Sequence, residues 1–219
     1  MLDLLEIDPA RTVVITVDMQ RRYLDMDIGT SPVAPEDAAR VLASSKEMLD
    51  LARSRGVPVI HAYVRGRRAE AESGLLGSPA LKLLWKNGFA ELLPDRIEGS
   101  PQAEVPASLV APDDVHVTAK KSMDAFLGTD LDTMLQGMYR PEAVVLAGIN
   151  TDTCVYSTTF SASNRGYRPV VISDCVASMR GKESHRMALE LMSSFAWILS
   201  LEQFRSKLGT GATTDTRRK

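Results

Sequence analysis

An acid, an amine and a thiol stand where three apolar runs of the sequence end. Asp18 ends TVVITVD, Lys120 ends DVHVTAK, and Cys154 follows EAVVLAG within the stretch GINTDTC. A thiolate is a nucleophile, and it forms more easily near a helix N-terminus and a cation. Asp18 can accept the thiol proton and return it to a leaving group, while Lys120 stabilises negative charge. Backbone N–H groups around Asn150 and Cys154 can hold an oxyanion. These residue types indicate attack of a cysteine on a carbonyl carbon.

Each of these residues also has a purely structural interpretation. A lone cysteine near the start of a helix commonly packs as a small apolar side chain. Asp18 can cap a turn, and Lys120 and the neighbouring Lys121 can be surface charges. Residue spacing alone leaves the catalytic and the structural interpretations open.

The elements that would position these residues follow from the alternation of apolar runs with segments of helical periodicity. Strands are predicted at 12–18, 57–64, 114–120, 142–148 and 168–174, with a short sixth strand or strand end in 197–204. Helices are predicted from Pro35 to the stop at Gly56, and at 131–138, 153–165 and 184–196. Strands that are apolar throughout favour a parallel sheet covered on both faces, an α/β domain of three layers. The carboxyl ends of such strands are where ligands bind.

The domain organisation predicted from the same pattern is simple. Residues 1–207 form one domain and residues 208–219 a disordered tail, since the tail has no apolar pattern. The segment 64–112 is irregular and too long for a plain connection, which favours a lid or a subunit contact.

Composition narrows the function classes. A formal net charge of -2 argues against a nucleic-acid or anionic-membrane partner. No apolar run is long enough to span a bilayer, and the first residues do not have the form of a signal peptide. Two cysteines do not make a disulfide framework, so we expect a reducing cytoplasm. The three histidines are far apart in sequence, and no Cys/His spacing predicts a zinc site.

Three blocks of the sequence resemble the isochorismatase-like cysteine hydrolases. The blocks are TVVITVDMQRRYLD, AKKSMDAFLGTDLDTML and VVLAGINTDTCVYSTTFSASNRGYRPVVISD, and the resemblance spans roughly residues 11–204. The family includes nicotinamidases, isochorismatase itself, and amidohydrolases of N-carbamoylsarcosine, biuret and ureidoacrylate. The present blocks look most like the N-carbamoylsarcosine and biuret types.

The resemblance implies a catalytic triad of Asp18, Lys120 and Cys154, an oxyanion hole made by the N–H groups of Asn150 and Cys154, and a cis peptide before Asn150. It also implies a six-stranded parallel sheet of order 3-2-1-4-5-6, an isochorismatase-like, Rossmann-like fold. In that order Lys120 must reach inward from a strand two places away from the strand of Asp18. We further expect a homodimer or homotetramer and a small-molecule amide substrate. The expected substrate contacts are Gln20, Tyr23, Arg65, Phe126 and Thr151.

Departures from the family pattern refine this expectation. The region HAYVRGRR lacks the histidines with which nicotinamidases bind a metal, so we expect no metal and no other cofactor. The cysteine disfavours the chemistry of isochorismatase itself, which lacks it. Cys175 is interpreted as packing. Arg67, Arg68 and Trp85 stand in the irregular segment, where substrate contact and a structural role both stay open.

The sequence therefore predicts cysteine-dependent hydrolysis of a C–N bond in a small amide or N-carbamoyl compound, with release of ammonia. Two alternatives from other classes stay open. One is a hydrolase that uses Asp18 without the cysteine, and the other is a non-catalytic binding domain on the same fold. A dinucleotide-binding protein is disfavoured, because DMQRRY rather than a glycine-rich turn follows the first strand.

Overall fold

A computed structural model describes residues 5–72 and 95–209, and six parallel strands form its central sheet. The strands lie in the order β3-β2-β1-β4-β5-β6, which confirms the predicted order and fold class. The strands are β1 Thr12–Val17, β2 Val59–Ala62, β3 Val115–Val117, β4 Ala143–Ile149, β5 Arg168–Ala177 and β6 Trp197–Leu199.

Helices cover both faces of the sheet. They are α1 Arg21–Leu24, α2 Pro35–Ser54, α3 Arg68–Glu72, α4 Leu131–Met134, α5 Tyr156–Asn164, α6 Lys182–Met192 and α7 Leu201–Lys207. All six residues of β1 are buried, and they alternate between two apolar clusters: Val14 packs with α2, whereas Val13 and Ile15 pack with α5 and α6. Because side chains of a strand alternate between its faces, these two clusters are the two sides of a three-layer core.

Several strand boundaries differ from those predicted, and the differences at β6 and β5 concern the C-terminal part of the sheet. The apolar run at 197–204 is not one strand, because β6 ends at Leu199 and α7 begins at Leu201. Between them Ser200 forms a capping box with Gln203, in which each side chain accepts a hydrogen bond from the other's backbone N–H. Strand β5 extends to Ala177, three residues beyond the predicted end, and this extension brings the following residues to the edge that carries Cys154.

The irregular segment 64–112 is described only at its two ends. It contains α3 and two short 3-10 turns, Pro101–Ala103 and Ala107–Leu109. Trp85 and the rest of the predicted lid or subunit contact at 73–94 lie outside the described residues, as does the tail from residue 210. Leu208, which the sequence assigns to the tail, is buried and pairs with Ile7. Within 5–72 and 95–209, no helix combines the length and the apolar character needed to cross a bilayer.

A buried histidine links the first three strands of the sheet. His61 Nδ1 lies 2.7 Å from the Thr16 hydroxyl, and His61 Nε2 lies 3.1 Å from an Asp114 oxygen that also pairs with Arg53. Burial lowers the pKa of His61 from 6.5 to about 4, although Asp114 opposes that shift. The folded protein therefore keeps this ring neutral where the unfolded chain would protonate it.

His61 is expected to make stability depend on pH in mildly acidic solution. As the pH falls from 6.5 to about 4, the unfolded chain binds a proton that the folded chain does not. The free energy of unfolding should fall by about 3 kcal/mol over this window. Urea unfolding at a series of pH values measures this loss. His61→Gln should flatten the dependence, and His116→Gln, at an exposed position of β3, should keep it. Equal slopes for the wild type and His61→Gln would contradict the assignment.

Candidate active site

Asp18 stands at the carboxyl end of β1 in a left-handed backbone conformation, with φ of 48°. That conformation is uncommon for residues other than glycine. Its carboxylate is buried, and Oδ1 accepts a hydrogen bond from the Val64 N–H at 3.2 Å. The turn after β1 therefore points the acid across the sheet edge toward the segment that follows β2.

Lys120 follows β3, and β2 lies between that strand and the strand of Asp18. The path of the chain after β3 explains how the lysine reaches the acid. The chain beyond β3 turns inward, where Ala119 forms an antiparallel bridge with Val64. The fully buried Lys120 Nζ then lies 2.5 Å from Asp18 Oδ2. Burial by itself favours the neutral amine, but the charge of the Asp18 carboxylate and its hydrogen bond raise the pKa of Lys120 above its ordinary value. The amine is therefore charged at neutral pH.

Cys154 lies in the π-helical turn Thr151–Val155 that leads into α5, and it is 6% exposed. Burial raises its pKa to about 12; the positive charge of Lys120 opposes the shift, and the Asp18 carboxylate adds to it. Lys120 thus favours the thiolate in the direction that the sequence predicts, but burial outweighs this effect in the resting site. The thiol stays protonated, with Asp18 in position to receive its proton.

A glycine lets β1 and β4 approach closely beside Asp18. Gly148 pairs with Val17 across the two strands and has φ of 137°. A Cβ atom at this position would collide with the Val17 carbonyl oxygen. Only glycine fits there, so this residue sets the spacing between Asp18 and the turn that carries Cys154.

The turn before Cys154 is fixed by the segment that follows β5. The peptide bond between Ile149 and Asn150 is cis, and Asn150 Oδ1 accepts a hydrogen bond from the Met179 N–H at 2.8 Å. Asp152 accepts a hydrogen bond from the Ser178 hydroxyl at 2.7 Å. Two residues of the turn are thus anchored to a single neighbouring loop.

Two of the residues expected to contact substrate, Tyr23 and Gln20, lie close to Asp18. Tyr23 is buried, and burial raises its pKa; the charge of Arg22 opposes this shift and that of Asp18 adds to it. The Gln20 side chain donates hydrogen bonds to the carbonyl oxygens of Val64 at 2.8 Å and Ala103 at 2.6 Å. In the part of the chain described, its buried Oε1 meets no hydrogen-bond donor.

Phe126 belongs to the same buried apolar cluster as Cys154, whereas Arg65 lies nearer the surface. The Phe126 ring stacks on Tyr167, with 6.2 Å between centroids, and lies under Arg165. Arg165 caps the far end of α5, about 16 Å along the helical path from Cys154. Arg65 is 31% exposed and pairs with Glu98 at 3.3 Å. Arg67 and Arg68 are also exposed.

Thr151, the fifth expected contact, has a partner that the sequence does not indicate. Its buried hydroxyl lies 2.9 Å from Nδ1 of His185, a half-buried residue of α6. His185 follows Thr151 by 34 residues, and no motif links the two positions. Among the described residues, no group of three or more His, Cys, Asp or Glu side chains is arranged to hold a metal ion.

Comparison with known proteins identifies the family. The profile described as Isochorismatase domain matches residues 12–203, which is most of the chain. The chain belongs to the isochorismatase-like cysteine hydrolase family. It is 33% identical to the ureidoacrylate amidohydrolase of Methylobacterium radiotolerans, over 93% of this chain and 81% of that protein. It is 24% identical to the maleamate amidohydrolase of Pseudomonas putida, over 90% of this chain and 87% of that protein.

Solved structures support the isochorismatase-like fold. A cysteine hydrolase from Pseudomonas syringae pv. phaseolicola superposes with a TM-score of 0.77 at 24% identity, covering 95% of this chain and 98% of that one. An N-carbamoylsarcosine amidase from Thermoplasma acidophilum superposes with a TM-score of 0.67 at 22% identity, covering 88% and 97%. At these identities the likeness establishes the fold.

Proposed function

We propose that this chain is a cysteine-dependent amidohydrolase that cleaves a C–N bond of a small amide or N-carbamoyl compound and releases ammonia. The observation that carries the proposal is the buried cluster at one sheet edge: Lys120 Nζ lies 2.5 Å from Asp18, and both charges act on the pKa of the buried Cys154 thiol. An acid, a cation and a nucleophile gathered at one buried site are the components that acyl transfer needs.

The first half of the reaction forms a thioester. As the sulfur of Cys154 bonds to the carbonyl carbon of the substrate, its proton moves to Asp18, so no free thiolate has to accumulate. The negative charge passes to the carbonyl oxygen, which the N–H groups of Asn150 and Cys154 hold. Lys120 keeps its positive charge beside the acid throughout. The C–N bond then breaks, and Asp18 returns the proton to the departing nitrogen as ammonia.

The second half of the reaction releases the acid product. Water gives a proton to Asp18 while its oxygen attacks the thioester carbon. The C–S bond breaks as the sulfur of Cys154 takes that proton back from Asp18. The enzyme returns to its starting state, and the net change is an amide and water converted to a carboxylic acid and ammonia.

The substrate is proposed to lie against Tyr23 and Gln20. Gln20 Oε1 is a buried acceptor without a donor in the described residues, and an N–H group of the substrate amide would satisfy it. Arg65 and Phe126 stay predictions as substrate contacts, since their side chains have other partners. The assembly into a homodimer or homotetramer also stays a prediction. Sedimentation velocity would test it by measuring the mass of the particle in solution.

An ammonia-release screen tests the proposed function. It covers ureidoacrylate, maleamate, N-carbamoyl amino acids, biuret and nicotinamide. The first two are included because relatives are named for them. We expect ammonia and the matching acid in equal amounts from at least one compound, and an acyl adduct on the Cys154 peptide in acid-quenched samples. No ammonia from any compound, together with no adduct, would overturn the proposal.

A further inference from the structure

His185 is a half-buried, titratable residue at the sheet edge of the site, and the mechanism above does not use it. It stands in the first turns of α6, and its Nδ1 lies 2.9 Å from the hydroxyl of Thr151. Thr151 is fully buried between Asn150 and the rest of the turn that carries Cys154. Among the described residues, His185 is the hydrogen-bond partner of the Thr151 hydroxyl.

This contact completes a set of anchors on three successive residues of the turn. Asn150 is held by the Met179 N–H, and Asp152 by the Ser178 hydroxyl. Both of these anchors come from the loop between β5 and α6. The contact between Thr151 and His185 lies between them in sequence and comes from α6 itself. The backbone that carries the Asn150 N–H therefore cannot rotate without breaking a contact with this one platform, residues 178–185.

The environment of His185 suits it to accept a hydrogen bond. Burial lowers the pKa of His185, and Arg40 of α2 lowers it further, whereas Asp37 of α2 and Asp152 of the turn oppose the shift. The ring is therefore neutral at neutral pH. With its proton on Nε2, Nδ1 accepts the hydrogen of the Thr151 hydroxyl.

We propose that His185 is a positioning residue for the reaction at Cys154: by binding the Thr151 hydroxyl, it holds the turn 150–153 so that the backbone N–H groups of Asn150 and Cys154 meet the oxyanion. The proposal rests on the proposed function. An oxyanion donor acts only when it is already aimed at the position where charge develops. A small displacement of the turn should therefore reduce turnover more than substrate binding.

Two substitutions at one position test the role. His185→Leu removes the acceptor, and His185→Asn places an amide oxygen near the position of Nδ1. We expect kcat to fall about 10- to 100-fold in His185→Leu, with KM changed less than about threefold, and to recover most of its value in His185→Asn. Thr151→Val should resemble His185→Leu, and the double variant should be no worse than either single variant. Arg186→Leu, at an exposed position of the same helix, is the matched control and should retain wild-type kinetics.

A second measurement does not depend on any substrate. Amide hydrogen exchange, followed by mass spectrometry of peptides that cover 148–156, should be faster in His185→Leu than in the wild type and His185→Asn. Wild-type kcat and wild-type exchange in His185→Leu would overturn the positioning role while leaving the proposed function intact. If the wild type releases no ammonia, the proposed function fails, and unchanged exchange in His185→Leu would overturn the positioning role as well.

Discussion

Replacing Cys154 with alanine is expected to lower kcat/KM for ammonia release by about 10⁴- to 10⁶-fold. Removing the nucleophile of a covalent mechanism costs on this order in other acyl-transfer enzymes, and what is left comes from binding and the oxyanion hole. The loss should appear in kcat. It should be accompanied by disappearance of the acyl adduct in acid-quenched samples, because alanine offers no atom for acylation.

The alanine variant should still fold. Cys154 is 6% exposed and packs with the apolar cluster between the sheet and α5. Losing one buried sulfur should cost about 1–2 kcal/mol, and the loss is measured by urea unfolding. Substrate binding to the folded variant, followed by calorimetry, should remain. Loss of activity in an unfolded variant would not support a nucleophilic role for Cys154. Cys154→Ser, with nearly the volume of the wild-type residue, provides a second variant that should fold.

Cys175 provides the matched control for this experiment. It is the other buried thiol, on β5, and burial raises its pKa to about 12 as well. Since Cys175 does not contact Asp18 or Lys120 in the structure, Cys175→Ala should keep wild-type ammonia release. If Cys154→Ala kept more than about one hundredth of the activity, the thioester would be ruled out, and hydrolysis directed by Asp18 without the cysteine would take its place.

The sequence predicts for a physical reason that Asp18, Lys120 and Cys154 lie at one edge of the sheet. Polar residues at the ends of apolar strands must gather at one edge of a parallel sheet, whatever connects the strands. Asp18, Lys120 and Cys154 meet there in the structure. The spacing of residues does not predict the path by which the chain after β3 brings Lys120 close to Asp18. That path depends on the bridge between Val64 and Ala119, two residues that no periodicity pairs.

The sequence also does not predict the protonation state of the Cys154 thiol or the hydrogen bonds that hold the turn before it. A cation and a helix start suggest a lowered pKa for Cys154, yet burial outweighs them, and the degree of burial depends on packing over the whole fold. The anchors of the turn, Ser178, Met179 and His185, come from a loop and a helix that follow β5. Such contacts between distant segments depend on tertiary packing, and the local sequence pattern does not predict them.

The residues predicted to contact substrate differ in how directly the sequence places them. Gln20 and Tyr23 follow Asp18 within a few residues, so the position of β1 places them beside the site. Phe126 lies in a matching sequence block but follows a longer loop, and its ring turns toward Tyr167 and Arg165. Sequence position therefore places Gln20 and Tyr23 near the end of β1, whereas the contact of Phe126 with substrate stays a prediction.

Replacing Lys120 with methionine is expected to destabilise the fold and to abolish turnover. The change leaves the Asp18 carboxylate buried without its counter-charge. Removing one partner of a buried ion pair lowers the free energy of unfolding by about 3–5 kcal/mol. The adjacent Lys121 is the matched control, since it is 40% exposed and pairs with Glu70. Lys121→Met should change the free energy of unfolding by less than about 1 kcal/mol and should keep ammonia release. Urea unfolding and the ammonia assay, applied to both variants, separate the two lysines.

A double variant distinguishes the pairing of charges from a packing defect. In Asp18→Asn/Lys120→Met neither buried charge remains, so its free energy of unfolding should exceed that of Lys120→Met by about 2 kcal/mol or more, although two residues have changed. Its ammonia release should stay undetectable, because the proton acceptor for Cys154 is also gone. Additive losses of stability would mean that methionine simply packs badly at this position. Recovered stability without recovered turnover would show that the unpaired Asp18 charge causes the loss of stability in Lys120→Met and that turnover needs the charged pair.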